Sequence, residues 1–113
     1  TANYFIEELA RLTREQGLRC VTIASSTISA QKAQSLQLPI VALEHVSSID
    51  LYVDGADEIT SDKTLLKGRG SDLVKEKLLA KAASQFIAVA DASKLVSHIG
   101  QNFTIPIEVI PFA

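Results

Sequence analysis

Two carboxylates three positions apart are the first residues of this sequence whose types and spacing suggest chemistry. Asp54 and Asp57 flank Gly55 and Ala56, so both acids lie on one short turn with little side-chain bulk around them. Mutual repulsion would raise the pKa of one carboxyl and leave the other ionised, which lets one site handle both directions of proton transfer. The alternative is a solvated turn whose acids cap the next segment, because Asp-Gly is a common turn signal.

A short glycine-containing loop lies ahead of a predicted helix. Its residues are Lys67, Gly68, Arg69 and Gly70. The backbone N–H groups of such a loop, together with the positive end of a helix, can bind a phosphate or an oxyanion. The residues after the lysine do not form a Walker motif, so nucleoside triphosphate binding is not indicated. The alternative is an ordinary strand-to-helix turn.

Glu76 lies on an otherwise apolar stripe of that predicted helix. Its neighbours on this face are small or apolar, namely Leu73, Ala80 and Ala83. Partial burial would raise the pKa of this carboxyl, which suits a base that removes a carbon-bound proton and returns it as an acid. The alternative is an ion pair with Lys75 or Lys77 on the helix flank.

Polar side chains also follow two further predicted strands. Lys94 can bind a phosphate or a hydroxyl group, or it can pair with Asp91 at the surface. Ser25 and Ser26 can donate hydrogen bonds to an anion, or they can cap the following helix.

No metal site and no disulfide framework are indicated. His45 and His98 have no partners at metal-ligand spacing, and the lone cysteine, Cys20, lies in an apolar run. A single cysteine is typical of a reducing compartment, so we expect a cytoplasmic protein.

The elements that must position these residues alternate along the chain. Helices are predicted over residues 1–16, 29–35 and 71–85, the first ended by Gly17 and the last capped by Ser71, and strands over residues 20–24, 40–43, 49–53, 86–90 and 105–110. This alternation predicts an α/β fold with a mostly parallel sheet flanked by helices, a Rossmann-like three-layer domain. Ligands of such sheets bind beyond the carboxyl ends of the strands, where the polar clusters lie.

The composition limits the classes of partner. A chain of 113 residues with 47% hydrophobic content fits one domain, predicted over residues 1–113. The net charge of −2 and the scattered basic residues do not indicate nucleic-acid binding. The apolar runs are far shorter than the roughly 20 residues that span a bilayer. The chain lacks an initiator Met and stops directly after a strand-like run, so we expect it to be truncated at both ends.

Five motifs occur in a fixed order along the chain. They are Tyr52-Val-Asp-Gly-Ala-Asp-Glu-Ile59, Leu66-Lys-Gly-Arg-Gly70, Lys75-Glu-Lys77, Ala90-Asp-Ala-Ser-Lys94 and Pro106-Ile-Glu-Val-Ile-Pro111. In order and spacing the series resembles ribose-5-phosphate isomerase type A. Thr1-Ala2 resembles the end of that family's G-T-G-S-T-A phosphate loop.

The resemblance implies a cofactor-free aldose–ketose isomerase of the pentose phosphate pathway, which interconverts ribose 5-phosphate and ribulose 5-phosphate through an ene-diolate. It implies that Glu76 is the base, that Asp54 or Asp57 handles the hydroxyl proton, and that Lys67 stabilises the oxyanion. It also implies a homodimer or homotetramer that binds a small sugar phosphate. The implied substrate-binding residues are Thr1, Ser25, Ser26, Asp54, Gly55, Ala56, Asp57, Lys67, Gly68, Arg69, Gly70 and Lys94.

Two positions depart from the family pattern. Arg69 stands where the family usually has glycine, and Asp72 stands where a small residue is common. The family's smaller second domain is not present, so we expect the fragment to be inactive alone. The alternatives are a sugar-phosphate-sensing domain or an amino-sugar deaminase-like relative on the same fold, and a plain structural domain. A sensor needs no base in the apolar stripe, and a deaminase would bring a histidine near the acids.

Overall fold

The computed structural model describes residues 2–111. The helices are α1 (Ala2–Gln16), α2 (Thr27–Ser35) and α3 (Leu73–Ala82), the strands are β1 (Ile49–Asp54), β2 (Glu58–Ile59), β3 (Leu65–Leu66) and β4 (Ala83–Ala88), and single 3-10 turns cover Leu43–His45 and Ala92–Lys94. β1 pairs with β4 in parallel, and β2 pairs with β3 in antiparallel orientation.

The first two helices pack on each other through a small apolar cluster, formed by Ile6, Ala10, Ala33 and Leu38. α1 ends as predicted at Gly17, whose φ of 69° is a left-handed conformation that glycine adopts without steric cost. α2 begins two residues earlier than predicted, because the Ser26 side chain accepts a hydrogen bond from the Ser29 N–H at 3.1 Å and caps the helix there.

β1 and β4 form the parallel pair on which the site is built. The prediction of a strand from Ile49 is confirmed, and so is the parallel arrangement. Their register places Tyr52 opposite Phe86, and the two rings stack with centroids 5.1 Å apart. α3 packs against both strands and buries Leu79, which is only 2% exposed. The carboxyl end of β1 therefore lies next to α3.

The predicted boundary between the last helix and its strand is wrong by three residues. The helix predicted over residues 71–85 ends at Ala82, and the strand predicted over 86–90 begins at Ala83. Ala83 pairs with Ile49, so residues 83–85, which the helical periodicity assigns to the helix, belong to the parallel ladder instead.

Two of the predicted strands reduce to a single bridge. Residues 20–24 and 40–43 meet only through a parallel bridge between Thr22 and Ile40, where the Val41 N–H donates to the Thr22 carbonyl at 2.9 Å. An apolar cavity of about 670 Å³ is lined by residues 20–25 and by β1, and in the described part of the chain β1 pairs with β4 rather than with residues 20–24. Without a second neighbouring strand, neither run extends its ladder.

The strand predicted over residues 105–110 is absent from the described part of the chain. This segment is irregular, and its apolar side chains stay exposed, as Ile107 does at 84%. Pro106 has no N–H to donate to a ladder. The segment instead crosses the glycine loop and the start of α3, where the Glu108 carboxylate accepts a hydrogen bond from the Val74 N–H at 2.6 Å.

The β2–β3 pair brings the acidic turn next to the glycine loop. The Asp57 N–H donates to the Leu66 carbonyl at 2.9 Å, which places the turn after β1 beside Lys67. Glu58 is fully buried, and its carboxylate accepts hydrogen bonds from three backbone N–H groups, those of Gly100, Asn102 and Phe103. Burial alone raises the pKa of such a carboxyl, but the three donors outweigh burial and hold the pKa of Glu58 below its ordinary value of 4.5.

The substitution Glu58→Gln should destabilise the protein most at neutral pH. The neutral amide loses the charge that three N–H donors bind, and it turns donors of its own toward them. Because the native pKa of Glu58 is lowered, its contribution to stability is present above the ordinary pKa of 4.5 and is lost as the pH falls through the native value. The difference in melting temperature between wild type and variant should therefore shrink on acidification.

The matched control is Glu44→Gln, which removes a charge from an exposed position. It should change the free energy of unfolding by no more than about 0.5 kcal/mol at either pH. A difference for Glu58→Gln that does not depend on pH would contradict the proposed role of the ionised carboxylate.

Candidate functional site

A polar cavity of about 400 Å³ lies beyond the carboxyl end of β1. It is enclosed by the start of α2, the acidic turn, the glycine loop and the first turns of α3. Thr1 lies outside the described residues. Every other predicted site residue lines this cavity, namely Ser25, Ser26, Asp54, Gly55, Ala56, Asp57, Lys67, Gly68, Arg69, Gly70, Glu76 and Lys94.

The Lys67 ammonium group lies between two carboxylates. Its Nζ is 2.9 Å from Asp54 Oδ2 and 2.7 Å from Glu76 Oε1. All three side chains are largely buried: Asp54 is 19% exposed, Lys67 17% and Glu76 12%. The predicted burial of Glu76 is confirmed, whereas its alternative ion pair with a lysine on its own helix is wrong. The partner comes from the glycine loop instead.

Asp54 is held by donors on three sides. The Tyr52 hydroxyl donates to Oδ2 at 2.6 Å, the Gly55 N–H donates to Oδ1 at 2.8 Å, and Lys67 binds Oδ2. Burial opposes ionisation, but hydrogen bonds with Tyr52, Lys67 and Glu76 lower the pKa of Asp54 below its ordinary value of 3.8. Burial beside this carboxylate raises the pKa of the Tyr52 hydroxyl, so it remains a hydrogen-bond donor.

The pKa of Glu76 shifts in the opposite direction. Burial is the main cause of its rise above the ordinary value of 4.5, Asp54 adds to the rise, and Lys67 opposes it. Burial lowers the pKa of Lys67, but its two carboxylate partners outweigh that effect and raise it above 10.5. The acids whose pKa values diverge are thus Asp54 and Glu76, whereas the sequence assigned this division to Asp54 and Asp57.

The glycine loop lies close to the side chain of Pro106. Gly68 has a φ of 110°, and a Cβ added there would lie 2.9 Å from Cγ of Pro106. The Arg69 N–H donates to Asp57 Oδ2 at 3.4 Å. The predicted cap of α3 is wrong, because Asp72 occupies the N-cap position without a side-chain bond and Glu108 binds the first turn.

Two cations at the cavity lie near one aromatic ring. The guanidinium carbon of Arg69 is 4.2 Å from the centroid of Phe103, and Lys94 Nζ is 5.8 Å from it. The alternative pairing of Lys94 with Asp91 is not formed in the part of the chain that the structure describes. Asp91 instead accepts a hydrogen bond from the Ser93 N–H at 2.8 Å and caps the 3-10 turn.

Sequence reasoning missed Tyr52, Glu58 and Phe103 as contributors to this site. Tyr52 lies two residues before Asp54 on β1, and that spacing alone places both side chains on one face of a strand. Glu58 and Phe103 carry no comparable signal, because they meet across 45 positions of sequence.

Residues 2–111 contain no group of three or more His, Cys, Asp or Glu residues placed to hold a metal ion. They also contain no helix with the length and apolar character needed to cross a bilayer.

The fold and the site together define an α/β domain with a parallel sheet flanked by helices and a charged cavity beyond a strand end. The sequence profile of ribose 5-phosphate isomerase A, also called phosphoriboisomerase A, matches residues 21–113. The chain belongs to the ribose 5-phosphate isomerase A family. The match confirms the family resemblance that the five motifs indicate.

Known relatives agree with this assignment. The ribose-5-phosphate isomerase A of Streptococcus pyogenes (serotype M5, strain Manfredo) is 40% identical over 112 residues, which are 99% of this chain and 49% of that protein. A D-ribose-5-phosphate isomerase solved in complex with phospho-erythronic acid superposes with a TM-score of 0.85 at 35% identity, over 88% of this chain and 44% of the other. The ribose 5-phosphate isomerase A of Methanocaldococcus jannaschii superposes with a TM-score of 0.84 at 33% identity, over 89% of this chain and 45% of the other. These structures confirm the predicted fold class.

The chain spans about half the length of the curated relatives it matches.

The substitution Lys67→Met tests the shared ion pair. It leaves Asp54 and Glu76 beside each other without their common cation, so we expect the free energy of unfolding to fall by about 1–3 kcal/mol at neutral pH. The loss should shrink on acidification. Lys67 lowers the native pKa of Asp54, so the stabilisation is present above the ordinary value of 3.8 and disappears as the pH falls through the native one.

The measurement is urea unfolding at neutral and acid pH, with Lys75→Met as the control because Lys75 is exposed on α3. Equal losses for the two variants would show that the shared ion pair contributes nothing specific.

Proposed function

We propose that the protein containing this chain interconverts ribose 5-phosphate and ribulose 5-phosphate, as a step of the pentose phosphate pathway. The observation that carries the proposal is the Asp54–Lys67–Glu76 arrangement at a cavity beyond the end of β1. Membership of the isomerase family and the names of the relatives support it. The bound phospho-erythronic acid in one similar structure supports a sugar phosphate as the ligand.

Glu76 is the base that moves the carbon-bound proton. It removes the proton from C2 of the open-chain aldose, the electron pair forms the C1–C2 double bond of the ene-diolate, and the carbonyl oxygen on C1 gains the proton that Asp57 takes from the hydroxyl on C2. The same carboxyl then returns its proton to C1 while the hydroxyl on C2 becomes the carbonyl. Burial supports this role, because it raises the pKa of Glu76 toward the pH at which a carboxyl both takes and returns a proton.

Lys67 stabilises the charge that develops on oxygen. Its Nζ already lies within 3 Å of both carboxylates, so it stays fixed while the substrate reacts. Asp54 holds this lysine in place, since its own oxygens are occupied by donors. Asp57 has one long contact, with the Arg69 N–H at 3.4 Å, and is the freer acceptor for the hydroxyl proton.

The remaining lining residues position the sugar phosphate. Ser25 and Ser26 offer hydroxyl donors at the start of α2, and Lys94 offers an ammonium group. Gly55, Ala56, Gly68 and Gly70 leave room for the ligand and offer backbone groups, and Thr1 belongs to the same set by its resemblance to the family's phosphate loop. The isomerisation transfers no electrons to an external acceptor, and we propose that it needs neither a cofactor nor a metal ion.

We also propose a cytoplasmic homodimer or homotetramer that binds neither nucleic acid nor membrane. The net charge of −2 argues against nucleic-acid binding, the single cysteine supports a cytoplasmic protein, and the oligomeric state rests on the family resemblance alone. The domain assignment, one α/β catalytic domain over residues 1–113 with the family's smaller second domain outside it, stays a prediction.

The sensor and deaminase alternatives are less well supported. A sensor has no need of a buried carboxyl with a raised pKa. Among the described residues that line the cavity there is no histidine for a deaminase-like reaction. A sensor would be recognised by sugar-phosphate stabilisation of the protein without turnover.

The substitution Glu76→Gln in the full-length protein should abolish most of the isomerisation. We expect kcat to fall by about 10²–10⁴-fold with a smaller change in KM, because the amide cannot accept the carbon-bound proton. The assay follows ribose 5-phosphate and ribulose 5-phosphate in the presence of a metal chelator. Glu44→Gln, at an exposed position outside the cavity, is the control. A folded Glu76→Gln variant with wild-type kcat would exclude this carboxyl as the base.

The pH dependence of kcat/KM should report the same carboxyl. Glu76 acts when it is deprotonated, so activity should fall on acidification with a midpoint above the ordinary glutamate value of 4.5. On the alkaline side, activity should fall only above pH 10.5, because the pKa of Lys67 is raised above that ordinary value and the lysine keeps its charge until then. A midpoint at or below 4.5 would contradict the assignment of Glu76.

A further inference from the structure

All three N–H groups of the Lys67 ammonium already have an acceptor. Nζ lies 2.9 Å from Asp54 Oδ2, 2.5 Å from the Gly55 carbonyl oxygen and 2.7 Å from Glu76 Oε1. An ammonium group has three donors and no more. Lys67 can therefore bind a substrate oxygen only if one of these three acceptors gives up its place.

Glu76 is the acceptor that is free to move. The Gly55 carbonyl belongs to the backbone directly after β1. Asp54 is held through both oxygens, because the Gly55 N–H donates to Oδ1 and the Tyr52 hydroxyl donates to Oδ2. In the described part of the chain, by contrast, Lys67 is the only group that donates to the Glu76 carboxylate. The side chain of Glu76 also has several rotatable bonds, so it can leave the lysine without a change in the backbone.

Tyr52 holds Asp54 from behind the polar cavity. Its ring is only 8% exposed and stacks on Phe86 with the centroids 5.1 Å apart, and its hydroxyl donates to Asp54 at 2.6 Å. Tyr52 lines the apolar cavity beside β1 and is not among the described residues that line the polar one. It therefore acts on the site through Asp54 and not by contact with a ligand.

We propose that Tyr52 is a positioning residue for the isomerisation, because its hydroxyl fixes Asp54 on Lys67. Glu76 is then the carboxylate that a substrate oxygen displaces from the lysine. The displacement gives Lys67 a donor for the substrate and releases Glu76 toward the carbon-bound proton. Lys67 opposes the rise in the pKa of Glu76, so the release also makes this carboxylate a stronger base. The inference rests on the proposed isomerase function, because it concerns the order of contacts in the same site.

Without the Tyr52 hydroxyl, the two carboxylates compete for Lys67 on more equal terms. Asp54 then keeps only the Gly55 N–H as a second donor. A substrate oxygen would displace Asp54 in part of the molecules, and in those molecules Glu76 would stay on the lysine instead of reaching the substrate. The loss should appear in kcat and not in KM, because Tyr52 does not line the polar cavity.

The test compares Tyr52→Phe, Asp54→Asn and the double variant in the full-length protein. Tyr4→Phe is the matched control, because it removes the same hydroxyl from a residue that is 77% exposed on α1. Kinetics with ribose 5-phosphate give kcat and KM, and circular dichroism and melting temperature establish that each variant is folded. Hydrogen exchange of the Lys67 ammonium group, followed by NMR and assigned with Lys67→Met, reports its hydrogen bonds without any need for turnover.

We expect Tyr52→Phe to lower kcat by roughly tenfold, the scale of one lost hydrogen bond to a charged group, with KM within about twofold of wild type. The Lys67 ammonium should exchange its hydrogens faster, also by roughly tenfold. In the Asp54→Asn background, Tyr52→Phe should change kcat by less than about twofold, because the neutral amide no longer competes with Glu76 for the lysine. Tyr4→Phe should match wild type in every measurement.

Two outcomes would overturn the proposal. One is a folded Tyr52→Phe variant with wild-type kcat. The other is the same fractional loss of kcat from Tyr52→Phe with Asp54 and with Asn at that position, which would assign the tyrosine a role in packing alone. If wild type does not isomerise the sugar, the proposed function fails. Unchanged ammonium exchange in Tyr52→Phe would then overturn the positioning role as well, whereas faster exchange would support it.

Discussion

The ion pair that Lys67 shares with Asp54 and Glu76 is the interaction on which the site depends. It joins the carboxyl end of β1, the loop after β3 and the first turns of α3, three elements that no other described salt bridge connects. Two carboxylates this close repel each other, and burial increases that cost, so the lysine is what allows both to occupy one cavity. The same balance lowers the pKa of Asp54 and raises that of Glu76.

Residues after β4 support the elements that form this ion pair, but they contribute no side chain to it. Pro106 lies against Gly68, and Glu108 binds the first turn of α3, so the irregular segment after β4 supports both the glycine loop and the helix that carries Glu76. The buried Glu58 fixes a second loop through three backbone N–H groups. A carboxylate satisfied by backbone donors is a rigid anchor, since moving any one donor leaves a buried charge short of a partner.

Local patterns predicted the parts of this protein that depend on near neighbours. The helical period and Gly17 predicted α1, a bounded apolar run predicted β1, and the alternation of elements predicted parallel pairing. The acidic turn and the glycine loop were site candidates because paired acids can exchange protons and loop N–H groups can bind an anion, although both patterns also occur in ordinary turns. The apolar stripe predicted the burial of Glu76. In each case the residues that decide the outcome lie within a few positions of each other.

The tertiary structure decided what depends on distant partners. Apolar runs at residues 20–24 and 105–110 form no extended strand, because a strand needs a hydrogen-bonding neighbour that sequence periodicity does not specify. Glu76 pairs with Lys67 from another loop, although lysines flank it on α3. Phe103 lies against Arg69 in a loop whose backbone N–H groups bond to Glu58 across 45 positions. The sequence by itself thus predicted which residues line the cavity, whereas folding determined which charged groups lie next to each other, because electrostatic and hydrogen-bond partners are set by distance in space.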